Sequence, residues 1–156
     1  MNVEHINPFV QSAQSMIANV CADNAAIGKM FVKAAPYKCM GVSVTAGVAG
    51  DVSGFIVYTM EKQTAMGLAS KMMGGMAVAA LDDISSSALA ELTNMISGSA
   101  ATSFAGKSMK VTVAAPVFAQ DPTAANFPFI KADSKILCIP LTLSGGAVFE
   151  IDILFA

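Results

Sequence analysis

The sequence contains few charged residues, and this shortage suggests a membrane protein that other features then argue against. Charged side chains make up 13% of the 156 residues, whereas hydrophobic ones make up 54%. The charge-free stretches 92–106, 111–120 and 136–149 are each interrupted by proline, serine, threonine, asparagine or glycine. None has the roughly 18 consecutive apolar residues that a spanning helix needs. The start has an early Glu4 and lacks the basic segment that begins a signal peptide, so we expect neither membrane insertion nor a signal peptide.

Cysteine and histidine are too few and too scattered for a metal site or a disulfide framework. The cysteines are Cys21, Cys39 and Cys138, no C-x-x-C pair is present, and His5 is the only histidine. We therefore predict buried free thiols, a reducing cytoplasmic location and no metal. Nine Lys plus Arg against eleven Asp plus Glu argue against nucleic-acid binding. Neither the P-loop pattern nor GxGxxG occurs, which argues against a nucleotide-binding loop.

The pattern of apolar residues predicts a single domain over residues 1–156 with three helices. The first is an amphipathic helix at 8–22, with Pro8 in its first turn. Two helices follow in the middle of the chain, at 61–75 and at 83–105. Asp82 or Asp83 is the expected N-cap of the last one.

Six strands are predicted around these helices, at 29–35, 40–49, 52–60, 111–118, 134–143 and 148–155. The second and third are joined by a turn at Gly50-Asp51 and the last two by Ser144-Gly145-Gly146, so both pairs are expected to form antiparallel hairpins. Pro116 places the fourth strand at an edge, at a bulge or at an early strand exit. The order of elements predicts an α+β fold, with an antiparallel sheet of about six strands, an N-terminal helix and two central helices.

The longest predicted helix carries a carboxylate and an amide on one narrow face. With Glu91 at zero on a wheel of about 100° per residue, three residues lie within about 60° of it in consecutive turns: Ser87, Asn94 and Gly98. The other side carries the predicted core stripe: Leu89, Leu92, Ile96 and Ala100. A mid-helix glycine costs roughly 1 kcal/mol relative to alanine, so Gly98 favours a docking surface over a plain solvated face.

The pattern E-x-x-N is weak by itself, and the alternative is that Glu91 and Asn94 merely decorate a solvated face. A second copy occurs at Glu4 and Asn7. Because Pro8 disfavours helical geometry at the residue before it, we predict that Glu4 and Asn7 do not share a helix face and that this copy is inert.

Three stretches of the sequence carry a family resemblance over nearly its whole length. They are the opening MNVEHINPFVQSA, the segment at 50–75 ending in a double glycine, and the helix with Ser87, Glu91 and Asn94, followed downstream by Pro116. Together they resemble the CheX branch of the CheC/CheX/FliY chemotaxis phosphatases. That family's helix has Asp or Ser, three residues, Glu, two residues and Asn, as this one does.

The resemblance implies a cytoplasmic two-component signalling enzyme that hydrolyses the aspartyl phosphate of a CheY-like response regulator. In this role Asn94 orients the attacking water and Glu91 pairs with a lysine of the receiver. The resemblance also implies that three further residues contact the partner: Ser87, Gly98 and Pro116. No cofactor of its own is expected, because the Mg²⁺ belongs to the receiver. A homodimer is also implied, with one motif helix per subunit.

Two further interpretations remain open from the sequence. One is a non-catalytic module that binds phosphorylated receivers, as flagellar switch relatives do, and the other is a dimeric interaction domain that has lost the receiver contact. The intact pair of Glu91 and Asn94 argues against the first of these.

Overall fold

Three helices cover one face of an eight-stranded antiparallel sheet in the computed structural model, which describes residues 2–156. The helices are α1 (Val3–Cys21), α2 (Lys62–Met72) and α3 (Asp83–Gly106). The strands are β1 (Ala26–Ile27), β2 (Phe31–Ala34), β3 (Val42–Gly50), β4 (Gly54–Met60), β5 (Val111–Val113), β6 (Val117–Gln120), β7 (Lys135–Thr142) and β8 (Val148–Phe155). They lie in the order β1-β7-β8-β4-β3-β5, with β2 also paired to β7 and β6 to β3. The predicted α+β class is confirmed.

The strand count exceeds the predicted six for two separate reasons. The short β1 was not predicted; after it, Gly28 donates its backbone N–H to the carbonyl of Pro140 at 2.7 Å before β2 begins. The predicted strand at 111–118 is divided into β5 and β6, which pair with opposite ends of β3. Pro116 lies in the break, where its missing N–H removes no ladder hydrogen bond.

Helix α1 begins at Val3, well before the predicted start at Pro8. The side chain of Asn2 caps it by accepting the backbone N–H of Glu4 at 3.0 Å, and Pro8 lies buried inside the helix. The expectation that Pro8 keeps Asn7 out of the helix is therefore wrong, because the cap and the burial of the proline ring offset the lost hydrogen bond. Glu4 and Asn7 are both exposed, and their spacing places them on one helix face.

Two predicted boundaries are displaced by glycines. The β3–β4 hairpin turns through residues 51–53, so β4 begins at Gly54 and not at 52. Gly54 has a φ of +142°, and a Cβ there would approach the carbonyl oxygen of Leu154 to 2.1 Å. The predicted helix at 61–75 ends earlier, at Met72, ahead of Gly74 and Gly75.

The main core lies between the helices and the sheet. Phe9 of α1 contacts Phe104 of α3 with their ring centroids 5.8 Å apart in an edge arrangement. Alternate residues of β8 face these helices and are fully buried: Phe149, Ile151 and Ile153. Among the described residues no helix is long and apolar enough to cross a membrane.

Candidate functional site

Helix α3 presents one exposed stripe along its length. Its members succeed one another at intervals of three or four residues: Ile84, Ser87, Glu91, Asn94, Gly98, Thr102 and Ala105. The predicted core stripe lies on the other side, and all four of its residues are fully buried: Leu89, Leu92, Ile96 and Ala100. The structure thus brings Ser87, Glu91, Asn94 and Gly98 together on one solvent-facing line.

Three contacts fix the position and rotation of α3. At its start the Asp82 carboxylate accepts the backbone N–H of Ser85 at 2.8 Å, while the Ser85 hydroxyl accepts the N–H of Asp82 at 2.9 Å. The backbone N–H of Ser85 and its hydroxyl, which also donates to the Asp82 carboxylate at 2.8 Å, hold the pKa of Asp82 below its usual value. In the middle the hydroxyls of Tyr58 and Ser97 share a buried hydrogen bond of 3.0 Å, which joins α3 to β4. The stripe therefore stands on a rigid element.

The stripe is slim because its flanking side chains are small. The half-buried residues beside it are mostly serines and alanines, with Met95 as the exception: Ser86, Ala88, Ala90, Met95, Ser99, Ala101 and Ser103. A Cβ built on Gly98 meets no atom within 4 Å. Packing within this chain therefore does not require glycine at this position.

Glu91 and Asn94, the central pair of the stripe, bind no other side chain within the described part of the chain. Glu91 takes part in none of the ion pairs among residues 2–156, and neither Glu91 nor Asn94 makes a side-chain hydrogen bond there. No basic residue occurs between Asp83 and Gly106 to neutralise Glu91 from the same helix. The carboxylate and the amide are thus free to bind groups from outside.

Pro116 lies on a different element from the other predicted site residues. It is half-buried in the segment that joins β5 to β6, and both of these strands contact α3. The other four residues form the stripe itself, so Pro116 is a neighbour of the helix and not a member of its exposed face.

A buried ionic cluster on the other face of the sheet was not predicted from the sequence. The Nζ atom of Lys33 lies 2.5 Å from Oε1 of Glu150 and 3.3 Å from Oδ2 of Asp152. The hydroxyl of Tyr37 donates to Asp152 as well. A stacked pair, Phe55 and Phe129, with ring centroids 3.8 Å apart, also covers this face. The signal in the sequence was the pair of acids two residues apart in an apolar strand, which places both on one face.

Burial and the neighbouring charges together set the pKa values of this cluster. Burial raises the pKa of Glu150 to about 7, and the neighbouring Asp152 adds to the rise. Burial alone would lower the pKa of Lys33, but the two carboxylates outweigh it and the pKa is raised. The cluster therefore holds a charged lysine beside a readily protonated glutamate.

Cys138 adjoins the same cluster and, with the two acids, offers the arrangement closest to a metal site. The possible ligand atoms of Cys138, Glu150 and Asp152 lie within 4.8 Å of one another. Burial raises the pKa of the Cys138 thiol, which disfavours the thiolate that a metal needs. Lys33 already supplies a positive charge at this place. All three cysteines are free; Cys21 and Cys138 are buried as predicted, while Cys39 is only half-buried.

A cavity of about 660 Å³ lies between the end of α1, helix α2 and the β7–β8 hairpin. Asp23 at its wall binds Lys71 at 2.8 Å and accepts the backbone N–H of Ser144 at 3.0 Å. Lys71 and Ser144 hold the pKa of Asp23 well below its usual value. No residue of α3 lines this cavity, so the exposed stripe of α3 lies outside it.

Solved structures place the fold in the CheC-like class. A CheC-like superfamily protein from Shewanella sp. PV-4 superposes with a TM-score of 0.84 at 24% identity, covering 100% of this chain and 99% of that one. The crystal structure of a CheX–CheY–BeF3–Mg²⁺ complex from Borrelia burgdorferi matches at a TM-score of 0.78 and 28% identity, over 97% of each chain.

Sequence comparison gives the family. The family described as chemotaxis phosphatase CheX matches residues 42–142. The "CheY-P phosphatase CheX" of Thermotoga maritima is 26% identical over 155 residues, which are 98% of this chain and 96% of that protein. The chain belongs to the CheX family of chemotaxis phosphatases, and the predicted resemblance is confirmed.

Proposed function

We propose that this protein accelerates hydrolysis of the aspartyl phosphate on a CheY-like response regulator by docking α3 onto it. The observation that carries the proposal is the exposed, internally unused pair of Glu91 and Asn94 on a rigid helix. The family membership and the relative named CheY-P phosphatase support the same reaction. We also propose that residues 1–156 act as one domain and that the protein works in the cytoplasm.

Asn94 is the catalytic residue of this proposal. Its side-chain amide has both a donor and an acceptor, so it can hold a water molecule in line with the phosphorus without any proton transfer. Phosphoryl transfer depends mainly on positioning and on charge stabilisation, and an amide that orients water is sufficient for the partner's contribution. Asn94 is exposed on α3 while its neighbour Thr93 is buried, so the amide is presented on a fixed backbone.

Glu91 fixes the register of the two proteins. It precedes Asn94 by three residues, one turn of the helix, and it is the one charged residue in the middle of the stripe. A lysine beside the phosphorylated aspartate of the receiver is the partner we assign to it, because a carboxylate with no internal cation is free to form that ion pair. Glu91 needs no role as a base.

The remaining predicted residues contact the receiver without taking part in the reaction. Ser87 and Gly98 precede and follow the central pair on the stripe and keep it slim enough for another backbone to approach. Pro116 flanks the helix on the β5–β6 segment. The solved complex of the Borrelia burgdorferi relative contains CheY, BeF3 and Mg²⁺, and we assign the Mg²⁺ to the receiver.

A homodimer is the second part of the proposal, with one α3 site in each subunit. The exposed sheet edge formed by β1 and β2 carries a run of exposed large apolar side chains: Ile27, Met30, Phe31 and Val32. An uncovered edge of this kind pairs readily with another strand, and a second copy of the same edge is its simplest complement.

The proposed function is tested by Asn94→Ala in a phosphate-release assay with a phosphorylated CheY-like receiver. We expect loss of the acceleration, by about 100-fold or more, with unchanged thermal unfolding, because Asn94 lies off the core. Glu91→Ala should mainly weaken binding of the phosphorylated receiver, measured by pull-down. Full acceleration by Asn94→Ala would refute the water-positioning role. Binding without acceleration by the unaltered protein would instead favour the non-catalytic receiver-binding module.

A further inference from the structure

Ile84 is the one large apolar side chain on the exposed stripe of α3. It is 70% exposed in the first turn of the helix. It precedes Glu91 by seven residues, so it lies about 20° away around the helix axis and about 10 Å away along it. The intervening member of the stripe is only Ser87, so nothing on this face separates the isoleucine from the Glu91–Asn94 pair.

The fold gives Ile84 no structural task that requires this residue. It lies outside the hydrophobic core, and the start of the helix is capped by Asp82 and Ser85. A β-branched residue has no advantage in propensity at an exposed helical position. A single exposed isoleucine is common on protein surfaces, so its position in line with the site is what distinguishes it.

We propose that Ile84 is an apolar anchor for the phosphorylated receiver, and this inference rests on the proposed function. A globular domain of roughly 100 residues has a radius of gyration of about 13 Å. A receiver centred on Glu91 and Asn94 therefore extends over Ile84 and buries it. The partner surface at this place is apolar with basic residues beside it, because the exposed Asp82 and Asp83 directly precede the isoleucine.

The distance between Ile84 and Asn94 on the stripe gives these two residues different roles. Asn94 acts on the water, whereas Ile84 lies two turns away and contacts the receiver outside the reacting atoms. The anchor therefore contributes equally before and during the reaction, which changes the affinity for the receiver and leaves the chemical step alone. Burial of most of an isoleucine side chain is enough to change affinity about tenfold.

The test compares Ile84→Ser, Ile84→Leu and Val3→Ser in steady-state release of phosphate from a phosphorylated CheY-like receiver. We expect Ile84→Ser to raise KM about tenfold with unchanged kcat, and Ile84→Leu to restore KM. Val3 is the matched control, since it is 55% exposed at the start of α1. Phe9, near the start of α1, packs against Phe104 of α3. Phe104 follows Ile84 by 20 residues, so the start of α1 lies about 30 Å from Ile84 along α3.

Unchanged KM in Ile84→Ser, with an active unaltered protein, overturns the anchor and leaves the proposed function intact. Inactivity of the unaltered protein on the receiver, or full activity of Asn94→Ala, overturns the proposed function itself. Light scattering on Ile84→Ser supplies the remaining outcome: a change in mass per particle assigns Ile84 to contact between copies of this chain and also overturns the anchor.

Discussion

Gly98 occupies the middle of α3, where glycine costs about 1 kcal/mol relative to alanine. A methyl group at this position would meet no atom within 4 Å, so the chain gives up helix stability without any gain in its own packing. The close approach of a partner's backbone is the role that a missing side chain can serve there. The helix stability lost at Gly98 therefore serves the binding of a partner and not the folding of this chain.

The first prediction at the residue scale is that Gly98→Ala separates stability from binding. We expect the free energy of unfolding to rise by up to about 1 kcal/mol, while KM for the phosphorylated receiver rises because the added methyl holds the partner away. Gly67→Ala is the control, since Gly67 is exposed on α2 and its Cβ also meets nothing within 4 Å. Thermal unfolding and steady-state kinetics measure both effects. If Gly98→Ala stabilises the protein with unchanged KM, the close-approach role is wrong.

The arrangement of the α3 stripe was predictable from the sequence, whereas the buried cluster was not. An aspartate N-cap, an apolar repeat and a glycine at its end mark a helix of 24 residues, so 100° steps place Glu91 and Asn94 correctly. Lys33 and Glu150 are separated by 117 residues, and only strand pairing through β7 brings them together. The two acids of β8 mark one face of that strand, but no local feature of the sequence indicates that Lys33 lies against them.

At the scale of the element, some bounds of strands and helices were predictable from the sequence and others were not. β8 was predicted at its observed bounds because only Glu150 and Asp152 interrupt its apolar residues and a double glycine lies just before it. The break between β5 and β6 depends on which part of β3 each of them pairs with. The pattern of apolar residues in 111–118 does not indicate that pairing. The sequence predicts α1 from Pro8 because proline suits a first helical turn, whereas the Asn2 cap begins the helix at Val3.

The second prediction concerns the pH dependence of the sheet through Glu150 on β8. Its pKa in the folded state, about 7, lies above the ordinary 4.5, so the folded chain holds a proton that the unfolded chain releases. Stability from this group is fully present below about pH 4.5 and is lost as the pH rises through about 7. Glu150→Gln mimics the protonated form, so we expect it to flatten this decline.

Denaturant unfolding between pH 5 and 8 measures this effect. The unaltered protein should lose up to about 3 kcal/mol across this range through Glu150, and Glu150→Gln should be the more stable of the two at pH 8. Lys33 keeps Asp152 as a partner in the variant, so the cluster retains an ion pair. Parallel pH profiles for the two proteins would contradict the raised pKa.

The third prediction is that the second E-x-x-N copy, on α1, is inert although it is helical and exposed. The α1 face differs from the α3 face where a partner would lie. Gln11, seven residues after Glu4, occupies the place that Gly98 has after Glu91, and α1 has no turn before Glu4 because it begins at Val3. A receiver on this copy would meet a long side chain on one side and a helix end on the other.

The double substitution Glu4→Ala with Asn7→Ala should therefore keep the phosphate-release rate within about twofold of the unaltered protein. Glu91→Ala with Asn94→Ala is the matched pair, and its activity should be lost. A fall in the α1 variant as large as that of Asn94→Ala would show that the site is not confined to α3.

The whole molecule has two open sheet edges, and they differ in composition. The β1–β2 edge exposes four large apolar side chains. On the β5–β6 edge the one large apolar side chain that is exposed is Val117. Edge strands that remain free in solution are usually protected by charge or by proline, and Pro116 adjoins β6 in this way. Dimerisation through β1 and β2 leaves both copies of α3 available, because α3 contacts β3, β5 and β6 towards the other edge of the sheet.

The last prediction is that Val32→Lys converts the homodimer into a monomer. Val32 is 59% exposed on β2, so a lysine there adds charge to the edge with little effect on the fold. Light scattering at micromolar concentration should give about twice 16.0 kDa for the unaltered chain and 16.0 kDa for the variant. Val117→Lys, at an exposed valine of the opposite edge, should remain dimeric. Because each subunit carries its own α3, the monomer should keep its phosphatase activity per chain. A single 16.0 kDa species from the unaltered protein would refute the dimer, and a dimeric Val32→Lys would place its interface elsewhere.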